Sequence, residues 1–196
     1  MMKKHAWWIE LFLIAVIAFA GSRLLMTQVL AKDAVQGDSM RPTLQDKDGI
    51  IALRHKSVSR NDIVVLDAPD RKHEQYVKRV IGMPGDEVKV VNEQLYINGQ
   101  KQAQPYLKTS FMRNEIKAWG QATGKDTTGM HFTDDFDIAT DKATRSQTVP
   151  AGEYFVMGDN RFISHDGRAF GFVTAAQIES VVVWRYWPIK QMRTFP

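Results

Sequence analysis

Cysteine is absent from the 196 residues. Disulfides, thiolate metal sites and a thiol nucleophile are therefore excluded. The absence is neutral about compartment. The chain also lacks HExxH, GxxxxGK[ST] and any paired His or Cys spacing, so zinc-hydrolase and P-loop nucleotide chemistry have no motif to stand on. The acidic residues Asp134, Asp135 and Asp137 read as a solvated loop rather than Ca²⁺ ligands. No cofactor and no metal are expected. No run of five or more basic residues occurs, which leaves a nucleic-acid partner without support. The net charge of +4 and pI near 9.3 suit an anionic membrane surface, although ordinary surface lysines and arginines give the same balance. No internal repeat is present.

What is there begins with Met1-Met2-Lys3-Lys4-His5, followed by Ala6-Trp7-Trp8-Ile9-Glu10 and an uncharged run from Leu11 to Gly21. With Glu10 at the interfacial end, the apolar span runs from Trp7 to about Leu25, near the ~20 residues needed to cross hydrocarbon. The anchor segment is bounded at 7–27, after a short stretch over 1–6. Trp7 and Trp8 suit a membrane interface, and Lys3 and Lys4 favour a cytoplasmic N-terminus, a bias that Arg23 and Lys32 weaken. Three readings fit: an uncleaved anchor, a signal peptide cleaved near Ala18-Phe19-Ala20, and a buried soluble helix. The length argues against the third.

After Leu30 the pattern turns to short strands broken by turns. Strands are expected over 49–53, 62–66, 77–81, 87–91, 94–97, 154–157 and 180–188. Asn92-Glu93 separates two of them, and Asn98-Gly99 is a strong two-residue hairpin signal. Pro84-Gly85 and Pro150-Ala151-Gly152 mark turns. The fold class is mainly β: an antiparallel-sheet body over 28–101 and 149–196, with at least two sheets. Residues 102–148 are polar, with Gly120, Gly124 and Gly129, and read as a small inserted subdomain. Phe111, Trp119, Phe132 and Phe136 argue against disorder there.

Three blocks carry the chemistry. The first is Ser39-Met40-Arg41-Pro42-Thr43, preceded by Gly37-Asp38. The second begins 35 positions after Thr43 and reads Lys78-Arg79-Val80-Ile81-Gly82-Met83-Pro84-Gly85-Asp86. The third is Gly158-Asp159-Asn160-Arg161-Phe162-Ile163-Ser164-His165-Asp166-Gly167-Arg168. A serine hydroxyl is a poor nucleophile until a base takes its proton, and a lysine can be that base only as the neutral amine. That form requires a desolvated site, which Tyr76-Val77 and Val80-Ile81 supply in sequence. Gly37 is expected to permit close backbone approach, and Pro42 with Thr43 to fix the loop's exit. Alternation along a strand lets Lys78 enter a site while Arg79 faces away.

With these blocks in order behind an apolar N-terminal segment, the chain resembles a bacterial type I signal peptidase, in the small single-anchor form of Gram-positive bacteria. The resemblance covers nearly the whole chain and is weakest between about residues 101 and 148. It implies an uncleaved anchor and an extracytoplasmic catalytic body in the cell membrane. It assigns Ser39 as nucleophile and Lys78 as general base. Ser164 would hydrogen-bond the lysine, and Asp166 with Arg168 would brace the loop. Asp159, Asn160 and Arg161 would serve as loop anchors. Met40, Leu44, Val77 and Val80 are the expected walls of shallow pockets admitting Ala-sized side chains. Some members carry a second oxyanion hydroxyl two positions before the serine; here that position is Gly37.

The expected partners are secreted preproteins, the lipid membrane and, by proximity, the secretion translocon. His165, beside Ser164 and Asp166, suggests a Ser/His/Asp rival, but the resembled family tolerates many residues at its position. A self-cleaving repressor-type Ser/Lys protease is a further rival, although the membrane segment stands where its DNA-binding domain would be. A pilin-processing homologue and an inactive relative acting in assembly complete the alternatives.

Overall fold

The computed structural model describes residues 6–196, so the basic start with Lys3 and Lys4 lies outside the described residues. A helix, α1 (Ala6–Val29), carries the apolar run. It is long and apolar enough over Trp7–Val29 to cross a membrane, and its described side chains from Trp7 to Val29 are exposed. At 1.5 Å per residue it spans about 36 Å. It passes directly into a strand, β1 (Leu30–Ala34), which hydropathy alone does not reveal. Lys32 and Asp33 interrupt its apolar pattern, and pairing with the next strand is what makes it a strand.

The body then follows in chain order: β2 (Gly49–Leu53), β3 (Ile63–Asp67), β4 (Gln75–Gly82), β5 (Val88–Val91), β6 (Gln94–Ile97) and β7 (Gln100–Lys101). A helix, α2 (Thr109–Thr123), and a short strand, β8 (Phe136–Asp137), come from the polar middle segment. Next are β9 (Glu153–Met157), the short helix α3 (Gly167–Phe170), β10 (Val173–Thr174), β11 (Ile178–Trp187) and β12 (Arg193–Thr194).

Two antiparallel sheets result, in line with the mainly β expectation. The larger has the order β1-β2-β11-β3-β4-β9-β10, with β12 paired to β11; the smaller has the order β7-β6-β5-β8. Both two-residue turns of the smaller sheet close with positive φ at both positions, at Asn92-Glu93 and at Asn98-Gly99. That geometry follows the right-handed twist of the flanking strands. One apolar core joins the sheets: Ile81, Phe155 and Met157 of the larger pack with Val88, Val90, Leu95 and Ile97 of the smaller. Two further cores cover the rest of the larger sheet.

The middle segment is more ordered than its composition suggests. Gly124 is not a loop glycine but the left-handed cap of α2, with φ +68° and its N–H bonded to the Gly120 carbonyl. The segment does not form a sheet of its own. Its strand β8 completes the smaller sheet by pairing with β5, whose residues precede position 102. Asp135 and Asp137 accept backbone N–H bonds from Asn92 and Ala139.

Candidate active site

The chain leaves β1 and turns tightly over Ser39–Thr43 before entering β2. Gly37 opens the turn with φ +79°, and nothing lies within 4 Å of where its Cβ would be. Its contribution is therefore the left-handed backbone, not the close approach expected from sequence. Close approach occurs instead at Gly158, where a Cβ would come within 2.5 Å of the Ser39 carbonyl oxygen. The Asn160 N–H donates to that same carbonyl at 2.9 Å, so the third block is stitched to the first through main chain.

Lys78 projects from β4, paired with Val64 of β3, and is only 3% exposed. Its Nζ lies 2.9 Å from Ser39 Oγ and 3.2 Å from the Val77 carbonyl oxygen. It also sits 5.2 Å from the Tyr76 ring centroid. Burial pulls the Lys78 ammonium down from 10.5 to about 8, while the Asp166 carboxylate pulls the other way. A lysine so placed has a substantial neutral fraction near neutral to mildly basic pH, with its lone pair available to a hydroxyl proton.

The neighbouring Arg79 turns away from Ser39, as alternation requires, but it is no surface charge. At 6% exposure it is buried, with Nε and Nη2 on the two oxygens of Asp159 at 2.8 and 2.6 Å. Thr43 Oγ1 donates to the same carboxylate at 2.5 Å. Arg185 of β11 holds the Thr43 carbonyl at 3.0 Å and Asp48 at 3.0 Å. The exit of the serine turn is thus fixed by a buried Thr43–Asp159–Arg79 network and by Arg185. Nothing local to Arg79 or Asp159 in the chain signals that the two pair.

The Asp166–Arg168 pair forms as expected, with Arg168 Nε and Nη2 on Asp166 at 2.8 and 2.9 Å. Asp166 also accepts the Gly158 N–H at 2.9 Å, and Arg168 reaches back to the Arg161 carbonyl at 2.8 Å. Burial pushes the Asp166 carboxyl up, but the Arg168 contacts and the Gly158 N–H hold it below the usual carboxylate range. Ser164 departs from expectation. Its Oγ is buried near Gly158 and faces the Asp166 carboxylate, which it helps hold down, and it makes no hydrogen bond to the Lys78 amine. The amine is already engaged by Ser39 and by the Val77 carbonyl.

Ser39 and Lys78 open onto a cleft of about 1130 Å³, walled on one side by Asp33–Gln36 and on the other by Gln75–Val77. Of the four expected pocket walls, Val77 alone lines this cleft. Met40 and Leu44 are 1% and 0% exposed within the core beneath the serine turn, and Val80 is fully buried in another core. The family resemblance pointed to these residues, but their side chains face the interior instead of the cleft. The cleft lining missed from sequence is largely polar: Asp67 at the end of β3, and Arg71, His73 and Glu74 from the β3–β4 connection. His165 lines it as well, bonded to Asp70 at 2.5 Å and not to Ser39 or Asp166.

The chain is similar over most of its length to known signal peptidases. The family model for signal peptidase, peptidase S26, matches residues 6–187. Signal peptidase IB of Staphylococcus aureus (strain Mu50) is 35% identical over 198 residues, covering 98% of this chain and 95% of the relative. Signal peptidase I of Bacillus caldolyticus is 38% identical over 182 residues, covering 91% of this chain and 89% of the relative. The crystal structure of a signal peptidase I from Enterococcus faecalis V583 superposes with a TM-score of 0.52 at 39% identity, covering 64% of this chain and 97% of that one.

Proposed function

This chain belongs to the signal peptidase family, peptidase S26, and we propose that it is a membrane-anchored Ser/Lys endopeptidase that removes signal peptides from secreted preproteins. The observation that carries the reading is the 2.9 Å contact between a buried lysine amine and the Ser39 hydroxyl at the floor of an open cleft.

In this reading neutral Lys78 takes the Ser39 proton as Oγ attacks the scissile carbonyl. The lysine then hands that proton to the leaving amine, and afterwards draws one from the water that releases the acyl-enzyme. The Ser39 backbone N–H serves as a donor to the developing oxyanion, in a turn steadied by the Asn160 bond to the Ser39 carbonyl. An extended preprotein segment enters between residues 33–36 and 75–78, adding main-chain hydrogen bonds along the cleft. Asp166 and Arg168 brace the loop from behind, and Ser164 supplies a buried hydroxyl beside Gly158.

The exposed apolar α1 serves as the anchor in the cell membrane, with residues 1–6 cytoplasmic, 7–27 spanning, and the body over 28–101 and 149–196 outside. Such an anchor confines enzyme and substrate to one interface, beside the secretion translocon, and raises their effective concentration. Both Ser39 and Lys78 are present and in contact, which favours this reading over an inactive homologue acting in pilin assembly. The test is to incubate detergent-solubilised wild type, Ser39→Ala and Lys78→Ala with a preprotein and map the cut. Cleavage at the signal-peptide junction by wild type alone supports the assignment, and cleavage that persists in both variants overturns it.

A further inference from the structure

The polar middle segment touches the serine turn through one face of α2. Phe111, Glu115 and Trp119 recur every four residues, so they stack along a single helical face. The Phe111 ring lies 5.7 Å from the Arg41 guanidinium, and Trp119 meets Phe162 edge-on with ring centroids 5.7 Å apart. Glu115 sits between them. One of its oxygens is 3.2 Å from Arg41 Nη2, and the other accepts a 2.9 Å hydrogen bond from Asn160 Nδ2.

Those two partners belong to different loops. Arg41 is two residues past Ser39, and Asn160 is the residue whose backbone N–H holds the Ser39 carbonyl. We propose that Glu115 is a positioning residue for the nucleophile, one carboxylate clamping the Ser39–Thr43 turn to the Gly158–Ser164 loop. The inference rests on the Ser/Lys reading above. Asn160 is fully buried and its Oδ1 has no partner among the described residues. The carboxylate, which only accepts, therefore fixes the orientation of that amide. Among the described residues, Arg41 otherwise meets an acid only at Asp38, 4.0 Å away. Without Glu115 the guanidinium would keep only the Phe111 ring and the more distant Asp38 among the described residues, and the turn would lose its side-chain tie to Asn160, leaving the main-chain bond and the Thr43–Asp159 contact to hold it.

The test is steady-state cleavage of a preprotein by full-length, detergent-solubilised Glu115→Ala, Glu115→Gln, Arg41→Ala and the Glu115→Ala/Arg41→Ala pair. Lys117→Ala, on the exposed side of the same helix, is the control. Slight displacement of a reacting atom is costly in rate, so Glu115→Ala should lower kcat about tenfold with KM changed by less than about twofold. Glu115→Gln should recover part of the loss, because its amide oxygen still accepts from Asn160. The double variant should be little worse than Glu115→Ala alone, as expected for two ends of one tie. The proposal is overturned if Glu115→Ala keeps the wild-type kcat per folded molecule. It is equally overturned if kcat falls only in step with the folded fraction. Ser39→Ala, assayed alongside, separates the two levels: activity in that variant removes the Ser/Lys reading itself.

Discussion

Lys78→Met removes the buried amine while keeping an unbranched chain of similar length, and the structure sets what this does to stability. In the folded protein the lysine titrates at about 8 instead of 10.5, because burial disfavours the cation. At about 1.4 kcal/mol per tenfold change, that drop corresponds to about 3 kcal/mol of stability forgone at neutral pH. The unfolded chain binds the extra proton between pH 8 and 10.5, so wild-type stability rises across that window and the penalty is complete below it. Methionine carries no such penalty but loses the hydrogen bond to Ser39, worth about 1 kcal/mol. The variant should therefore be more stable than wild type by about 2 kcal/mol at pH 7, and less stable by about 1 kcal/mol above pH 10.5. Urea unfolding of both proteins in detergent, followed by tryptophan fluorescence at pH 7, 9 and 10.5, measures the difference. A stability difference that does not change with pH would refute the desolvated-cation reasoning.

The cleavage rate should climb as pH passes through about 8, because the protonated lysine cannot accept the serine proton; a rate profile flat down to pH 5 counts against Lys78 as the base. Arg79→Ala leaves the Asp159 carboxylate buried without its partner, so denaturant unfolding should show a loss of about 3–5 kcal/mol. His165→Asn should retain most cleavage activity, since His165 contacts Asp70 at the cleft rim and not the reactive pair; a loss as deep as that of Ser39→Ala would reinstate a histidine base.

The strands and turns were legible where local chemistry decides them. Asn98-Gly99 and Pro84-Gly85 marked turns, and the apolar runs of β2, β3 and β9 marked buried strands. The Ser39 and Lys78 blocks were legible because rigid contexts surround each. What was not legible depends on partners distant in sequence. β1 is a strand because β2 lies beside it, and Arg79 is buried because Asp159 arrives from 80 positions away. α2 lacks a side-chain N-cap and an acidic first turn, so its start carries no signal. The spacing of Phe111, Glu115 and Trp119 was the clue that remained, overshadowed by the surrounding glycines and polar residues. The pocket walls were misplaced for a simpler reason. Composition identifies Met40, Leu44 and Val80 as apolar but does not say which side of the backbone they occupy.

Lys78 and Arg79 leave the same strand in opposite directions, one toward a hydroxyl and the other into a carboxylate. Sliding β4 by a single position against β3 and β9 would deliver a guanidinium to Ser39, and a guanidinium does not shed its proton in proteins. The backbone ladder on either side of β4 thus does more than hold a sheet together: it selects which of two adjacent cations the serine meets, and only one of them can ever become a base.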